Sequence, residues 1–143
     1  MRPSKDNYYL EIARAVSRRS TCLRRQYGAV IVNNDEIVST GYNGAPRGCE
    51  ECTETGICWR EQNNIPHGTQ YEKCVSVHAE QNAIISAARS EMLGGTLYLV
   101  GFENGLEIPD PEPCCICERM IINAGIKKIV TIQGKGYVKN DKD

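Results

Sequence analysis

Two short stretches of this chain carry side chains that could bind a metal and move protons. His78 and Glu80 lie in the first stretch, and Cys114 and Cys117 follow Pro113 in the second. Zinc binds imidazole and thiolate ligands tetrahedrally, and a catalytic site uses three protein ligands and leaves the fourth position to water. The three ligands here would be His78, Cys114 and Cys117. With the Glu80 carboxylate beside them as a proton carrier, these residue types predict zinc-assisted chemistry.

The spacing of the cysteines fits the start of a helix. Cys114 and Cys117 are three residues apart, which makes them neighbours on one helical face. Pro113 suits the entry to a helix, where a missing N–H costs nothing. Unpaired amides and the positive end of the helix dipole would hold both cysteines as thiolates. We therefore expect a helix from about Cys115 to Ala124, ended by Gly125.

The spacing of His78 and Glu80 also restricts where they can lie. In a helix interior, residues two apart point about 200° away from each other. Both can face one metal only where a loop becomes a helix. A helix is predicted just after them, over Gln81 to Arg89, because apolar residues recur there at helical spacing and Gly94-Gly95 closes the pattern. These apolar residues are Ala83, Ile84, Ala87 and Ala88.

Two other interpretations of the cysteine pair compete with catalytic zinc. A purely structural zinc would need a fourth side chain, such as Cys115 or Cys74, and would leave Glu80 without a role. A redox-active pair would be expected in a thioredoxin-like setting, and no other feature of that kind accompanies these cysteines. Because the histidine half precedes the cysteine half and each leads into a helical pattern, catalytic zinc is favoured.

Composition sets the broad class of protein. The chain has 143 residues, which predicts one domain over positions 1–143. A net charge of −1 and 24% charged residues are typical of a soluble globular protein without a broad basic face, which weighs against nucleic acid as a partner.

There is no long apolar run and Met1–Asn7 is polar, so we expect no signal peptide and no membrane association. Eight cysteines then favour metal ligation over disulfides and predict a cytoplasmic location.

Apolar periodicity and turn residues predict an α/β chain. The expected elements, in order, are a helix over Asp6–Ser20, strands over Gly28–Val32 and Glu36–Thr40, the helix after His78, a strand over Thr96–Gly101, the cysteine helix, and a strand over Lys127–Ile132. Asn33–Asp35 predicts a tight hairpin turn, and Asn104-Gly105 marks a turn within a short insertion, Phe102–Pro111. The tail Gly134–Asp143 is expected to be loose. This order predicts a mixed sheet with helices on its faces.

The segment from Cys49 to Cys74 has no periodic pattern and is rich in cysteine. A loop of this length needs something to hold it in place, and a structural zinc with four Cys or His ligands would do so. The predicted ligands are Cys22, Cys52, Cys58 and Cys74, with Cys49 or His67 as substitutes. Free buried thiols remain an equally open interpretation.

Arginines near the N-terminus form a local positive cluster in a chain that is nearly neutral overall. The cluster consists of Arg14, Arg18, Arg19, Arg24 and Arg25. Such a cluster is usually a solvated helix face, but arginine also matches the geometry of phosphate. The loop Gly41–Gly48 leaves a strand end near the predicted metal helix, where substrate contacts are common. Arg24 and, in that loop, Arg47 are therefore the candidates for binding a phosphate.

The whole chain resembles the cytidine/deoxycytidylate deaminase superfamily, and within it the deoxycytidylate (dCMP) deaminases. The pairing of His-x-Glu with Pro-Cys-x-x-Cys is similar to the known signature of zinc-dependent base deaminases. The stretches that carry the resemblance are Arg19–Cys22, Tyr27–Val30, Ser39–Gly44, Val77–Ala83, Pro113–Cys117 and Ala124–Lys128. The metal signature is shared by the superfamily, whereas Ser39–Gly44, with Ser20-Thr21-Cys22 before it, points to the dCMP branch.

The resemblance implies a fold, a reaction and roles for residues. The fold would be the three-layer α/β/α cytidine-deaminase-like fold with a central mixed sheet. The reaction would be dCMP + H₂O → dUMP + NH₃, with zinc-bound hydroxide attacking C4 and Glu80 as proton shuttle. Asn43 would bond the deoxyribose, and the backbone around Ala29 and Ala79 would contact the pyrimidine edge. The resemblance also implies a second, cysteine-rich zinc site and a homo-oligomer, in many members a hexamer activated by dCTP and inhibited by dTTP.

The chain departs from this family in its insertion Phe102–Pro111, which is longer than the usual link, and in ending soon after the last strand. Both departures bear on the substrate more than on the chemistry. Cytidine, guanine or adenosine in tRNA are the alternative substrates, although a tRNA substrate would need a basic surface along the phosphates. A zinc-stabilised binding module without catalysis is the alternative from another class.

Overall fold

A six-stranded mixed sheet forms the middle layer of the molecule. This computed structural model describes residues 1–138. The strands are β1 (Arg25–Asn33), β2 (Glu36–Tyr42), β3 (Thr96–Glu103), β4 (Leu106–Glu107), β5 (Lys128–Thr131) and β6 (Gly134–Tyr137). Their order is β2-β1-β3-β5-β6, and β4 pairs with the end of β3. The β3–β5 pair is parallel and the other pairs are antiparallel, so the predicted mixed sheet is confirmed.

Helices cover both faces of this sheet. They are α1 (Lys5–Ser17), α2 (Cys52–Thr55), α3 (Trp59–Gln62), α4 (Ala79–Ile85), α5 (Arg89–Met92) and α6 (Cys115–Ala124). Helix α1 packs on one face, and α4 and α6 pack on the other. The arrangement is therefore the predicted three layers, α/β/α.

Strand β1 shows how the two cores form. Its residues point alternately to opposite faces, so Ala29 and Ile31 enter the core under α4 and α6, whereas Val30 and Val32 enter the core under α1. All four are buried, because β1 lies inside the sheet with β2 on one side and β3 on the other. An apolar run without polar alternation is typical of a strand covered on both faces.

Two of the predicted boundaries are confirmed by their local geometry. Asn34 and Asp35 form the hairpin turn with φ of 52° and 59°, the left-handed values that a tight two-residue turn requires. Helix α6 spans Cys115–Ala124, and Gly125 ends it with φ of 79°. A capping or turn residue determines the backbone conformation at its own position, so the sequence predicts these two boundaries well.

The helix predicted over Gln81–Arg89 is wrong in its extent. The structure has α4, which ends at Ile85, and a separate α5 that begins at Arg89. The backbone N–H of Ala88 donates to the Glu91 carboxylate at 2.9 Å, so Glu91 caps a new helix instead of continuing the old one. Apolar spacing alone does not show such a break.

The tail is more ordered than predicted, whereas the turn predicted at Asn104-Gly105 within the insertion is confirmed. Gly134–Tyr137 is a strand, β6, that pairs with β5, so this part of the tail is not loose. Residues 139–143 of that prediction lie outside the described residues. The insertion Phe102–Pro111 is the β3–β4 hairpin, and the Arg14 guanidinium of α1 holds its Glu107 carboxylate at 2.9 Å. Within the described chain, no helix is both long enough and apolar enough to cross a membrane.

Gly41 allows α4 to lie directly on β2. A Cβ at this position would lie 2.3 Å from the Ala79 carbonyl oxygen and 2.4 Å from the Ala83 amide nitrogen. We expect Gly41→Ala to lower the free energy of unfolding by about 1–3 kcal/mol, since the contacted atoms are backbone and cannot move alone. Chemical denaturation measures this change. Gly136→Ala is the control, since its Cβ would meet nothing closer than 4.0 Å, and an equal effect of both substitutions would contradict the prediction.

Candidate active site and metal centre

The histidine half of the site lies where a loop enters α4. His78 is the residue that precedes the helix, with extended dihedrals (φ −74°, ψ 155°), so the prediction drawn from its spacing to Glu80 is confirmed. Its backbone N–H donates to the Gln81 side chain at 2.8 Å. Val77 exchanges two backbone hydrogen bonds with Gly44, at 2.7 and 3.0 Å, which ties this entry to the loop after β2. Glu80 follows in the first turn and is only 5% exposed.

The cysteine half lies at the start of α6. Cys114 precedes the helix, and its Sγ accepts a hydrogen bond from the Cys117 backbone N–H at 3.3 Å. Cys117 is fully buried and Cys114 is partly buried. Helix starts present unpaired amides, which stabilise negative charge on sulfur. Both sulfurs therefore lie at a helix start, where backbone amides are available to them.

The two helix starts bring three metal-binding atoms together. The Nδ1 atom of His78 lies 3.4 Å from the Cys114 Sγ and 3.2 Å from the Cys117 Sγ. Tetrahedral zinc with ordinary bond lengths would place such atoms about 3.5 Å apart. Within residues 1–138, the His, Cys, Asp and Glu side chains that form a cluster of three, with ligand atoms within 4.8 Å of one another, are His78, Cys114 and Cys117. The donor set and its spacing fit zinc.

Burial controls the ionisation of the side chains around this group. It raises the pKa of the Glu80 carboxyl to about 7, although hydrogen bonds from a backbone amide and from Cys117 oppose the shift. Burial and the nearby Glu80 raise the pKa of the Cys117 thiol. Burial and the charge of Arg60 lower the pKa of His78, which favours the neutral imidazole that binds metals. Metal binding to this group would therefore be coupled to proton release from the thiol.

Two residues that the sequence analysis did not identify support the histidine. The Tyr71 ring packs edge-on against the His78 ring, with centroids 5.1 Å apart. The Arg60 guanidinium lies 5.0 Å from the Tyr71 centroid on its face. Both residues belong to the cysteine-rich segment without periodicity, so no local pattern could have placed them next to His78.

A cavity of about 370 Å³ opens beside the metal-binding group. His78, Glu80 and Cys114 form part of its wall, and Asn43 and Tyr27 form another part. This volume is within the range of small-molecule sites. None of the residues 102–111 lines it, so the insertion does not reach the cavity wall, whereas Glu112 and Pro113 do.

Asn43, the predicted deoxyribose ligand, is held by three hydrogen bonds. Its Oδ1 accepts from the Tyr27 backbone N–H at 2.8 Å and from the Ser20 hydroxyl at 2.7 Å. Its Nδ2 donates to the Arg25 carbonyl at 2.9 Å. The side chain is only 6% exposed, and one N–H of Nδ2 is left for a ligand. Asn43 is thus rigidly positioned at the cavity.

Ala29 and Ala79, the predicted contacts to the pyrimidine edge, are fully buried and do not line the cavity. Ala29 lies within the sheet, where it pairs with Gly41 on one side and Leu99 on the other. Ala79 is the first residue of α4 and lies between two cavity residues, His78 and Glu80. The role of their backbone groups stays a prediction.

The four cysteines predicted to hold a second zinc all line the same cavity. They are Cys22, Cys52, Cys58 and Cys74. Burial raises the pKa of Cys22 and of Cys52, and the neighbouring thiols contribute in both cases, so the four groups lie within electrostatic reach of one another. Their sulfurs do not all approach within 4.8 Å in the described chain. Of the substitutes, Cys49 is exposed and outside the cavity wall, whereas His67 lines it.

The two phosphate candidates have different positions. Arg24 lines the cavity, whereas Arg47 is exposed and does not. Arg18 and Arg19 are exposed too, as expected of a solvated helix end. The cavity wall contains Arg60 in addition, an arginine that the sequence analysis did not consider.

A histidine and two cysteines meet at two helix starts, next to a buried glutamate, within a three-layer α/β/α fold. The family model described as the cytidine and deoxycytidylate deaminase zinc-binding region matches residues 3–133. The chain belongs to this family, and the predicted family is confirmed.

Individual relatives agree with this assignment. A deoxycytidylate deaminase from Schizosaccharomyces pombe is 37% identical over 90% of this chain, which spans 37% of that protein. One from Mycobacterium phage D29 is 37% identical over 90% of this chain, which spans 94% of it. The crystal structure of the cyanophage S-TIM5 dCMP deaminase in complex with dCMP and dUMP is 28% identical, covers 92% of this chain and 82% of its own, and superimposes with a TM-score of 0.63.

Proposed function

We propose that this chain deaminates deoxycytidylate hydrolytically, converting dCMP and water to dUMP and ammonia. The observation that carries the proposal is the buried Glu80 beside the His78, Cys114 and Cys117 group, at the wall of a cavity of about 370 Å³. The phage relative of nearly equal length is named for this activity, which supports the choice of substrate.

The role of Glu80 follows from its burial. Zinc held by His78, Cys114 and Cys117 would supply the activation of a water molecule. Glu80 accepts a proton from the attacking water and delivers a proton to N3 of the cytosine ring, which makes C4 more electrophilic. It then passes the second water proton to the amine, which leaves as ammonia. A pKa raised to about 7 by burial suits a group that must both accept and donate a proton.

The substrate contacts follow from the positions of the same elements. Asn43 lines the cavity, and the Nδ2 hydrogen that does not bond the Arg25 carbonyl would be donated to the deoxyribose. The backbone at the start of α4, around Ala79, has amides without a partner inside the helix and would contact the pyrimidine edge. The corresponding role for Ala29 is weaker, since its backbone lies within the sheet.

A second, structural zinc is part of the proposal. Cys22, Cys52, Cys58 and Cys74 lie on one wall, on segments that only short helices and turns otherwise organise. A zinc ion would draw the four sulfurs into tetrahedral contact and supply folding energy to the cysteine-rich segment.

We therefore expect two zinc ions per chain in the purified protein, measured by elemental analysis. Cys52→Ala should lower the content to one zinc and increase proteolysis of the segment between Cys49 and Cys74. Thr53→Ala, at an exposed neighbouring position, is the control and should keep both ions. A content of one zinc that Cys52→Ala does not change would leave the four cysteines as free thiols.

Assembly and regulation complete the proposal. The family resemblance implies a homo-oligomer, with a hexamer activated by dCTP and inhibited by dTTP as the expected form. Light scattering of the purified chain tests the oligomer, and ammonia release measured with and without each nucleotide tests the regulation. The cytoplasmic location stays a prediction.

The substrate is tested by ammonia release from dCMP, CMP, deoxycytidine and a tRNA fragment. We expect the highest kcat/KM with dCMP. Faster turnover of deoxycytidine than of dCMP would identify a nucleoside deaminase, and turnover of the tRNA fragment alone would identify an RNA-modifying one. Zinc-loaded protein that releases no ammonia from any of the four would contradict the proposed function.

A further inference from the structure

Arg60 is a buried cation with an unused donor. The residue is only 7% exposed and lines the cavity. Its Nη2 donates to the Pro66 carbonyl at 2.7 Å, and its guanidinium stacks on the Tyr71 ring at 5.0 Å. Its Nη1 is buried and has no hydrogen-bond partner in the described chain. The side chain is therefore fixed in position, while part of its hydrogen-bonding capacity is left unsatisfied.

The charge of Arg60 is not compensated by the described protein. Its contacts are a carbonyl and an aromatic ring, and neither is an anion. Arg24, on the same wall, has the Ile65 carbonyl at 3.3 Å as its hydrogen-bond acceptor. Arg25 differs from both, because it forms an ion pair with Glu103. Burying an unpaired charge is costly, so a fixed guanidinium without a carboxylate favours an anionic ligand.

Three arginines line the cavity, Arg24, Arg25 and Arg60, together with the carboxylates of Glu80 and Glu112. His67 also lines the cavity, and its Nε2 lies 3.4 Å from an Arg25 nitrogen. Burial lowers the pKa of His67, and the charges of Arg25, Arg24 and Arg60 lower it further. Burial is the larger cause, and the three guanidiniums act on His67 as nearby positive charges in addition.

Arg60 is connected to the metal-binding group through one side chain, Tyr71. The Arg60 guanidinium lies over the Tyr71 ring, and the Tyr71 and His78 rings meet in a T-shaped arrangement. The guanidinium is thus separated from the metal ligand by one aromatic ring. A pyrimidine nucleoside monophosphate with its base at Glu80 would place its phosphate elsewhere along the same cavity, whose lining includes Arg60.

We propose that Arg60, assisted by Arg24, binds the 5′-phosphate of the substrate and makes the enzyme prefer a nucleotide to a nucleoside. The inference rests on the proposed function and assigns the phosphate to Arg60 in place of Arg47. Arginine suits this role, since its planar fork matches phosphate oxygens. A nucleoside, which has no phosphate, would leave the buried guanidinium without a hydrogen-bond partner. Sites of this kind discriminate strongly against a substrate that lacks the group they bind. Because Arg60 lies on α3, the cysteine-rich segment then determines substrate choice.

The kinetic test compares dCMP with deoxycytidine. In Arg60→Gln, the ratio of kcat/KM for dCMP to that for deoxycytidine should fall about 30-fold or more, since removing one partner of a buried charge pair has effects of this size. Arg60→Lys keeps the charge but loses the planar fork of the guanidinium, so its ratio should lie between those of the wild type and Arg60→Gln. Arg119→Gln, an equal charge change at an exposed position on α6 outside the cavity wall, should leave the ratio unchanged.

A binding test gives a readout that does not depend on activity. Inorganic phosphate should raise the Tm of the wild-type protein above that in chloride at equal ionic strength, and this difference should vanish in Arg60→Gln. If Arg60→Gln does not fold, Arg60→Lys and Arg24→Gln replace it in both tests. Equal losses on both substrates with unchanged phosphate stabilisation would overturn the assignment. If the wild-type protein deaminates neither substrate, the proposed function is refuted. The Tm shift in phosphate would still show whether Arg60 binds a phosphate group.

Discussion

Glu80→Gln retains its zinc and loses catalytic activity by roughly 10²–10⁴-fold or more, the scale of general acid–base catalysis. Glutamine has the shape of glutamate but cannot accept and return a proton. The loss should appear in kcat, because the carboxylate acts on the reacting atoms after the substrate has bound. Steady-state ammonia release with dCMP, together with elemental analysis for zinc, measures both parts of this prediction.

The control for this experiment is Glu72→Gln, which makes the same change at an exposed position outside the cavity wall. It should retain normal turnover. Near-normal turnover in Glu80→Gln would remove Glu80 from the mechanism. A loss of zinc in Glu80→Gln would show that the carboxylate acts on the metal site and not on the proton transfers.

The second large effect is expected at Cys117. This residue is fully buried, and its sulfur lies 3.2 Å from the His78 Nδ1. Alanine would leave two ligands where a zinc site needs three or more, so Cys117→Ala should lose this zinc and its activity together. Elemental analysis of the purified variant, after dialysis against a weak chelator, measures the loss.

Cys115→Ala separates this interpretation from the structural-zinc alternative. Cys115 is exposed and lies between the two cysteine ligands in the sequence. If the metal has three protein ligands, Cys115→Ala keeps its zinc. If Cys115 is a fourth ligand, both substitutions lower the zinc content, and unchanged zinc in Cys117→Ala would contradict the whole assignment.

Each half of the metal-binding group could be predicted from the sequence because the geometry within that half is local. Pro113 and Gly125 mark the two ends of α6, and the spacing of Cys114 and Cys117 follows from the helical repeat. His78 and Glu80 could be placed at a helix entry for the same reason, since no other position lets both face one metal. The β-rich run Gly28–Val32 similarly predicts a strand.

The position of Arg60 could not be predicted in the same way. Arg60 lies on a four-residue helix within a segment without periodicity, and it reaches the site through Tyr71 by tertiary packing alone. Arg47 was a reasonable candidate by its place in a loop, but whether a loop arginine turns toward a cavity depends on contacts distant in sequence. The split between α4 and α5 likewise depends on one side chain, Glu91, that caps a helix instead of continuing it.

We expect the group formed by His78, Cys114 and Cys117 to hold a zinc ion whose fourth position is open to water. A crystal structure of the zinc-loaded protein would show this in the first coordination shell of that ion. The expected ligands are the His78 Nδ1, two sulfurs and one water oxygen, with the Glu80 carboxylate within hydrogen-bonding distance of that oxygen. A fourth protein side chain in place of the water would contradict the proposed mechanism.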